Sequence, residues 1–298
     1  MMVDTVFLEK GLKATFDQAM EGILNQRDMQ AAAALYTEVP STSASEKYGF
    51  LGDFPQVQEW LGDTVAGGLA DYGYSIVNKD WYTAIDIDRN ELKDDQLGRI
   101  LPRIQGMAKA LGGHKLDLLV WLLDNSLTQL AFDGAAYFAN RAAPNDNLLA
   151  GAGVTLANIL TDLAAARAAM LQFTTDQGRV LGLTFDTIFV PSALGFTMLQ
   201  AVTAPLAGAG GGAPDWTFNP WSRWVKNVIA LPQLSDTNDW YAFCTSQWMK
   251  PMVYQLREGT NMELDETQSA RNRKLTYSAN MRSNAGYGLP LLGVRIVN

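Results

Sequence analysis

Cysteine and histidine are almost missing from this sequence, which contains Cys244, His114 and no further residue of either type. A structural zinc site of the usual kind needs four such ligands, so none can form within one chain. A framework of disulfides is excluded for the same reason. With 298 residues, however, the chain is long enough to bury a sizeable core without these supports.

Long apolar runs and an excess of basic charge are lacking too. No stretch approaches the roughly 18 apolar residues of a membrane span. Residues 1–10 carry Asp4 and Glu9 where a secretory signal has a basic and then an apolar block, so we expect synthesis in the cytosol. The 23 basic residues are outnumbered by 31 acidic ones, a net charge of −8. Tight binding of nucleic acid is therefore not expected, because it depends on clustered Lys and Arg.

Recognisable catalytic motifs are also scarce. The glycine-rich run at 208–212 is followed by Ala213-Pro214-Asp215 and lacks the Lys-Ser/Thr ending of a phosphate-binding loop. His114 has no Gly-x-Ser-x-Gly motif to supply a nucleophile. We therefore predict no catalytic, cofactor-binding or metal-binding residue. The 31 acidic residues leave one alternative open, a cytosolic hydrolase that uses a pair of carboxylates.

Apolar residues at helical spacing predict three amphipathic helices. The first covers residues 6–24, the second covers 94–123, and the third begins at Thr155, a residue type suited to the N-cap. Pro102 and the pair Gly112-Gly113 predict kinks or a break within the second helix.

Alternating apolar and polar residues between Tyr74 and Asp88 predict two strands of a long hairpin, with Asn78-Lys79-Asp80 as the turn. A buried strand at 184–191 should lead into a short helix at 192–201. Further short strands are expected at 225–231, 240–245, 252–256, 274–279 and 288–297. Because helices and strands do not alternate regularly, the pattern favours the α+β class over a doubly wound fold.

Tryptophan side chains are more informative than any polar cluster. Trp216, Trp221 and Trp224 lie in or beside a stretch rich in Gly, Pro and Ala at 204–221, which we expect to be a mobile surface loop. Such rings either fill a domain core or form a subunit contact, since Trp is enriched at interface hot spots. Trp60 precedes the two predicted hairpin strands and Trp81 lies in the second of them, and the hairpin offers little local core to bury either ring. The predicted subunit contacts are therefore Trp60, Trp81, Trp216, Trp221 and Trp224.

Several blocks of the sequence together resemble one known family. They include Val39-Pro40-Ser41-Thr42-Ser43, Tyr48-Gly49-Phe50-Leu51-Gly52, Glu59-Trp60-Leu61-Gly62-Asp63, Asp94-Asp95-Gln96-Leu97-Gly98, Lys250-Pro251-Met252-Val253-Tyr254 and Arg282-Ser283-Asn284-Ala285-Gly286. In this order, and spread over nearly the whole chain, they are similar to the major head (capsid) proteins of Mu-like phages and prophages. The chain departs from the family at Pro290, where an aromatic residue is usual. It also departs at Asn140-Arg141-Ala142, where family members often have a histidine after the Asp133-Gly134 segment.

The resemblance implies the Hong Kong 97-type capsid fold of tailed phages. Its parts would be an N-terminal arm at 1–45, an extended hairpin loop at 46–92, a spine helix with the peripheral domain at 93–180, an axial domain at 181–249, and a return to the peripheral domain at 250–298. On this plan the hairpin loop would lie over a neighbouring subunit. Residues 204–224 would meet their copies at the centre of a ring.

The same resemblance implies a structural protein and not an enzyme. Copies would assemble through pentamers and hexamers into the icosahedral shell that encloses double-stranded DNA, with only weak contact to the DNA and none to a membrane. Scaffold, protease and portal proteins are the implied assembly partners. The implied location is the virion, after assembly in the host bacterial cytoplasm. A head-decoration or tail-tube protein is the structural alternative.

Overall fold

The computed structural model describes residues 5–51, 71–88, 98–176, 178–204, 206–208, 216–265 and 274–298. Its helices are α1 (Thr5–Leu24), α2 (Arg27–Ala33), α3 (Ile100–Asp124), α4 (Leu156–Gln172), α5 (Ser192–Thr203) and α6 (Trp221–Trp224). Its strands are β1 (Tyr36–Pro40), β2 (Ser45–Leu51), β3 (Asp71–Val77), β4 (Lys79–Asp88), β5 (Leu148–Ala150), β6 (Thr187–Pro191), β7 (Leu206–Gly208), β8 (Trp216–Phe218), β9 (Asn227–Leu231), β10 (Trp240–Phe243), β11 (Met252–Asp265), β12 (Lys274–Tyr287) and β13 (Gly293–Val297). Among the described helices, none combines the length and the apolarity that crossing a membrane requires.

Two mixed sheets organise these elements. The first has the strand order β1-β11-β12-β4, in which β1 is parallel to β11 and the other pairs are antiparallel. The second has the order β5-β13-β10-β6-β9, in which β10 is antiparallel to both neighbours and the outer pairs are parallel. The chain enters the second sheet, leaves it for β11 and β12, and returns as β13. The α+β class is therefore confirmed, and the two sheets are built from interleaved segments.

Helix α3 joins the cores of the two sheets. In its first half Ile104 and Leu111 pack with Ile87 and Tyr277 of the first sheet. In its second half the buried leucines, among them Leu122, belong to a cluster that contains apolar residues of both sheets. The helix therefore acts as a spine to which both sheets are attached.

The break predicted within this spine helix does not occur, because α3 is continuous from Ile100 to Asp124. Pro102 lies in the first turn, where the backbone N–H has no partner within the helix in any case. Gly112 faces α1: a Cβ at this position would lie 2.9 Å from the Sδ atom of Met20 and 3.1 Å from Cγ2 of Ile23. The glycine therefore permits α1 to pack closely along α3.

Strands β3 and β4 do not form the hairpin that the sequence predicted. Strand β3 pairs with β2, from Ser45 opposite Val77 to the other end of the ribbon, whereas β4 pairs with β12. Asn78 between them is 7% exposed, so it marks a crossing from ribbon to sheet and not the tip of a hairpin. The alternation was a correct strand signal, but periodicity carries no information about which strand is the partner. Residues 52–70, which connect β2 to β3, lie outside the described residues.

The second sheet is covered on both faces. All five residues of β6 are buried, and one face packs against α4 and α5 through residues such as Leu163 and Met198. The thiol of Cys244 is 1% exposed and belongs to the same cluster. Thr155 caps α4 as predicted, and its hydroxyl oxygen accepts a hydrogen bond from the amide of Asn158 at 3.4 Å.

Candidate subunit-contact site

The five tryptophans predicted as subunit contacts lie in different surroundings. Trp60 lies outside the described residues. Trp216 lies in β8, of which the structure describes the backbone but not the side chains. Trp221 is only 7% exposed, and its ring stacks on Phe185 with the centroids 5.9 Å apart. It therefore fills the core of its own subunit. Trp224 is 40% exposed and is the member of this pair that remains available to another molecule.

Trp81 packs against the spine helix of its own chain. Its ring centroid lies 4.2 Å from that of His114 on α3. Its indole Nε1 donates a hydrogen bond to the carbonyl oxygen of Ser283 at 2.9 Å. The sequence analysis did not predict this packing of Trp81, because α3 and β12 are separate from the predicted hairpin in sequence.

A cleft with a volume of about 540 Å³ opens beside Trp81, and we call it the aromatic cleft. It is bounded by the end of β3, the start of β4, the second half of α3 and the end of β12. Its apolar walls include Val77, Trp81 and Trp121. Two of these are substantially exposed, Val77 at 58% and Trp121 at 48%. The cleft thus exposes apolar surface beside the crossing between ribbon and sheet.

The polar groups of the aromatic cleft are few. The ammonium group of Lys79 lies 6.0 Å from the ring centroids of both Trp81 and Trp121. Burial lowers the pKa of His114, and the negative charge of Asp117 partly opposes this effect. The imidazole is therefore mainly neutral at pH 7. Its Nε2 atom is buried and has no hydrogen-bond partner among the described residues.

A set of hydrogen bonds, here called the ribbon-base network, holds the β2–β3 ribbon where it leaves the first sheet. Glu46 Oε1 accepts hydrogen bonds from the hydroxyl of Ser41 at 2.9 Å and from the amides of Thr42 and Ser43 at 2.9 and 3.0 Å. These bonds, with the Thr42 amide contributing most, lower the pKa of Glu46 to about 2. The Nδ2 group of Asn78 donates to Ser41 Oγ and to the carbonyl of Ser43, both at 2.8 Å.

Gln255 of β11 completes the ribbon-base network from the sheet side. It is fully buried, and its Oε1 atom accepts a hydrogen bond from the hydroxyl of Tyr48 at 2.9 Å. Its Nε2 group donates to the carbonyl of Ile76 at 3.4 Å. Both strands of the ribbon are thereby joined to the first sheet by side-chain hydrogen bonds.

Sequence reasoning missed both the aromatic cleft and the ribbon-base network. Residues 39–45 are mostly small and polar, a composition typical of a linker or turn. The Ser43-x-x-Glu46 spacing, which is the pattern of a capping box, was an available signal that backbone amides would be bonded here. Nothing in the sequence indicated that Val77 and Trp121 would share a surface, because they belong to distant segments.

The described residues offer binding surfaces and little chemistry. Within these ranges no group of three or more His, Cys, Asp or Glu side chains could hold a metal ion. The ring of His114 faces Trp81, so its setting is a packing contact. What this region presents is an aromatic surface with one exposed ammonium group, an arrangement suited to recognition.

Comparison with known proteins identifies relatives for most of the chain. Residues 6–162 and 223–296 match the family described as Mu-like prophage major head subunit gpT. The Mu-like prophage FluMu major head subunit of Haemophilus influenzae is 30% identical over 154 residues, which are 50% of this chain and 50% of that protein. The major capsid protein of Escherichia phage Mu is 35% identical over 100 residues, which are 34% of this chain and 33% of that protein. The alignments thus span about half and about a third of these relatives.

Solved structures share the fold at lower sequence identity. The procapsid of bacteriophage JBD30 aligns with a TM-score of 0.53 and 22% identity, covering 98% of this chain and 75% of that chain. The virus-like particle from Pyrococcus furiosus aligns with a TM-score of 0.61 and 8% identity, covering 97% and 98% respectively. The fold is therefore the Hong Kong 97-type capsid fold that the resemblance implied. Since the family model matches well over half of the chain, the chain belongs to the Mu-like prophage major head subunit family, whose members are structural capsid components of the virion and not enzymes.

Proposed function

We propose that copies of this chain assemble through five-membered and six-membered rings into an icosahedral head shell around double-stranded DNA. The observation that carries the proposal is the match to the head-subunit family on both sides of residues 163–222. The fold shared with the procapsid protein of bacteriophage JBD30 extends over 98% of the chain. It supports the same assembly, although the two sequences are only 22% identical. The net charge of −8 is compatible with weak contact to DNA, because a closed shell retains its contents by confinement.

Within the shell we assign residues 1–45 to an arm, 46–92 to the extended hairpin loop, 93–180 to the spine helix and peripheral domain, 181–249 to the axial domain, and 250–298 to the return. The strand pairing supports one refinement of this plan. Among the described strands, β2 and β3 pair with each other as a two-stranded ribbon, whereas β4 belongs to the first sheet. The part proposed to lie over a neighbouring subunit is therefore residues 45–77.

Scaffold, protease and portal proteins are the partners proposed for assembly, as the family resemblance implies. The purified chain by itself is the material with which assembly can be tested. We expect sedimentation and negative-stain imaging to show capsomers, tubes or closed particles. A stable monomer or small oligomer with hydrolytic turnover would instead support the carboxylate hydrolase. Stacked rings, or trimers that bind only to preformed heads, would indicate a tail-tube or decoration protein.

A further inference from the structure

We propose that the aromatic cleft binds a small molecule in which a planar aromatic ring carries one carboxylate. The assembly proposed above does not require such a ligand, and the site does not depend on that assembly, because a single chain supplies the walls of the cleft. The inference therefore adds a ligand site to a structural protein.

The size and the walls of the cleft suit a small ligand. Its volume of about 540 Å³ lies within the range of small-molecule sites, roughly 300–1,000 Å³. Val77 and Trp121 are 58% and 48% exposed, so two of its walls present apolar surface. Exposed apolar residues that share one concave surface are typical of a binding site, whereas apolar residues scattered singly are ordinary.

Two indole rings give the cleft its preference for a planar group. Trp81 is held by its contact with the ring of His114 and by the hydrogen bond from its Nε1 atom to the carbonyl oxygen of Ser283. A ring that is already fixed loses little conformational entropy when a ligand binds. Trp121 presents the more exposed ring, on which an aromatic group can pack in an offset stack or edge to face.

Lys79 provides the positive charge that a carboxylate needs. Its ammonium group lies 6.0 Å from the ring centroids of both Trp81 and Trp121, so a ligand ring in contact with either indole brings its substituent close to this charge. Lys79 is exposed and forms no ion pair within the described ranges. A carboxylate on the ligand ring can therefore accept a charge-assisted hydrogen bond from the ammonium group while the ring contacts tryptophan.

Asp117 limits the ligand to a single negative charge. This carboxylate lies on α3, is exposed and lines the same cleft. His114 is mainly neutral, because burial lowers its pKa, so it adds no positive charge to offset Asp117. A phosphate or a dicarboxylate would bring further negative charge close to Asp117, and like-charge repulsion disfavours that arrangement.

Isothermal titration calorimetry with the purified chain tests the class of ligand. The probe 2-naphthoate has the proposed ring and carboxylate, 2-naphthamide has the ring without the charge, and cyclohexanecarboxylate has the charge without the aromatic ring. We expect 2-naphthoate to bind about fivefold more tightly than either comparison compound, the size expected of one exposed ion pair or one aromatic contact. If either compound binds as tightly as 2-naphthoate, or if millimolar 2-naphthoate does not bind, the proposal is overturned.

Charge variants locate the carboxylate of the ligand. Lys79→Gln should weaken the binding of 2-naphthoate about fivefold and leave that of 2-naphthamide unchanged, because it removes only the charge that the carboxylate contacts. Asp117→Asn should strengthen the binding of 2-naphthoate, because it removes a nearby negative charge. Lys109→Gln, at an exposed lysine of α3 that does not line the cleft, is the control. Equal weakening by Lys79→Gln and Lys109→Gln would reflect net charge alone and would contradict the assignment.

Tryptophan variants locate the ring of the ligand. Trp121→Ala should weaken the binding of 2-naphthoate and 2-naphthamide alike, by about tenfold, because both use the indole surface. Trp248→Ala removes a tryptophan that is 86% exposed outside the cleft and should leave both affinities unchanged. If Trp121→Ala is folded by circular dichroism and binds as the wild type does, the ligand does not lie in the cleft and the assignment is wrong. Affinity is measured whether or not the chain forms a shell, so this failure is separate from failure of the proposed function.

Discussion

Asp162 on α4 is a largely buried carboxylate. Its Oδ1 atom accepts a hydrogen bond from the amide of Ala152 at 2.9 Å, whereas its Oδ2 atom is buried and finds no partner in the part of the chain that the structure describes. Burial raises the pKa of this carboxyl, and the hydrogen bond from Ala152 partly opposes the effect. The folded protein therefore holds this proton more tightly than the unfolded chain does. Linkage then requires that the contribution of Asp162 to stability decreases as pH rises from the ordinary aspartate pKa through the raised one.

We predict that Asp162→Asn removes this pH dependence. Relative to the variant, the wild type should lose free energy of unfolding as the pH rises above the ordinary aspartate pKa, since the charged carboxylate is the disfavoured form in the folded protein. Denaturant unfolding of both proteins as a function of pH measures the difference. Asp17→Asn, a change at an exposed acid on α1, is the control. A difference between wild type and Asp162→Asn that does not vary with pH would contradict the prediction.

At the scale of elements, the ribbon depends on the network at its base. Asn78 lies at the crossing from β3 to β4, and its side-chain amide contacts the Ser41 hydroxyl and the Ser43 carbonyl. Its backbone amide donates to the carbonyl of Ala44 at 2.9 Å. The backbone bond alone does not specify the direction of the ribbon, because the side-chain bonds are the ones that join the crossing to residues 41–43.

Asn78→Ala should therefore lower the free energy of unfolding by about 1–3 kcal/mol, since it removes two side-chain hydrogen bonds, to Ser41 and Ser43, that each contribute about 0.5–1.5 kcal/mol. Hydrogen exchange in β2 and β3 should increase more than exchange in β12, because the ribbon loses its attachment before the sheet does. Asn280→Ala is the matched control at an exposed asparagine of β12. Equal stability and equal exchange in the two variants would show that the network does not hold the ribbon.

At the scale of the whole molecule, residues 204–224 test the proposed axial placement. The described part of this segment contains the short antiparallel pair β7–β8 and helix α6. If copies of the segment meet at a ring centre, protease should cut it readily in free subunits and slowly in assembled particles. Cleavage by a broad-specificity protease, followed by mass spectrometry, measures the two rates. Equal rates in the two states would mean that the segment makes no ring contact.

Much of the fold follows from local pattern. The periods of α1, α4 and four strands of the second sheet, β6, β9, β10 and β13, predicted these elements, because each is an amphipathic or buried segment whose own residues indicate its environment. The short edge strand β5 was not predicted. Strands β11 and β12 are longer than predicted, extending to Asp265 and from Lys274 to Tyr287. Their outer parts carry polar residues on the exposed face, which weakened the apolar signal.

The irregular order of the predicted helices and strands was enough to indicate the α+β class, and the resemblance of several sequence blocks to a known family indicated the structural role, since both are evident without coordinates. The tertiary structure alone decided that β3 pairs with β2, that Trp221 is buried in its own subunit, and that Val77, Trp81 and Trp121 share one cleft. The physical reason is that pairing and burial are properties of contacts between distant segments. The type of a residue limits which groups can pack favourably against its side chain. Which groups do pack against it is determined by the folded chain.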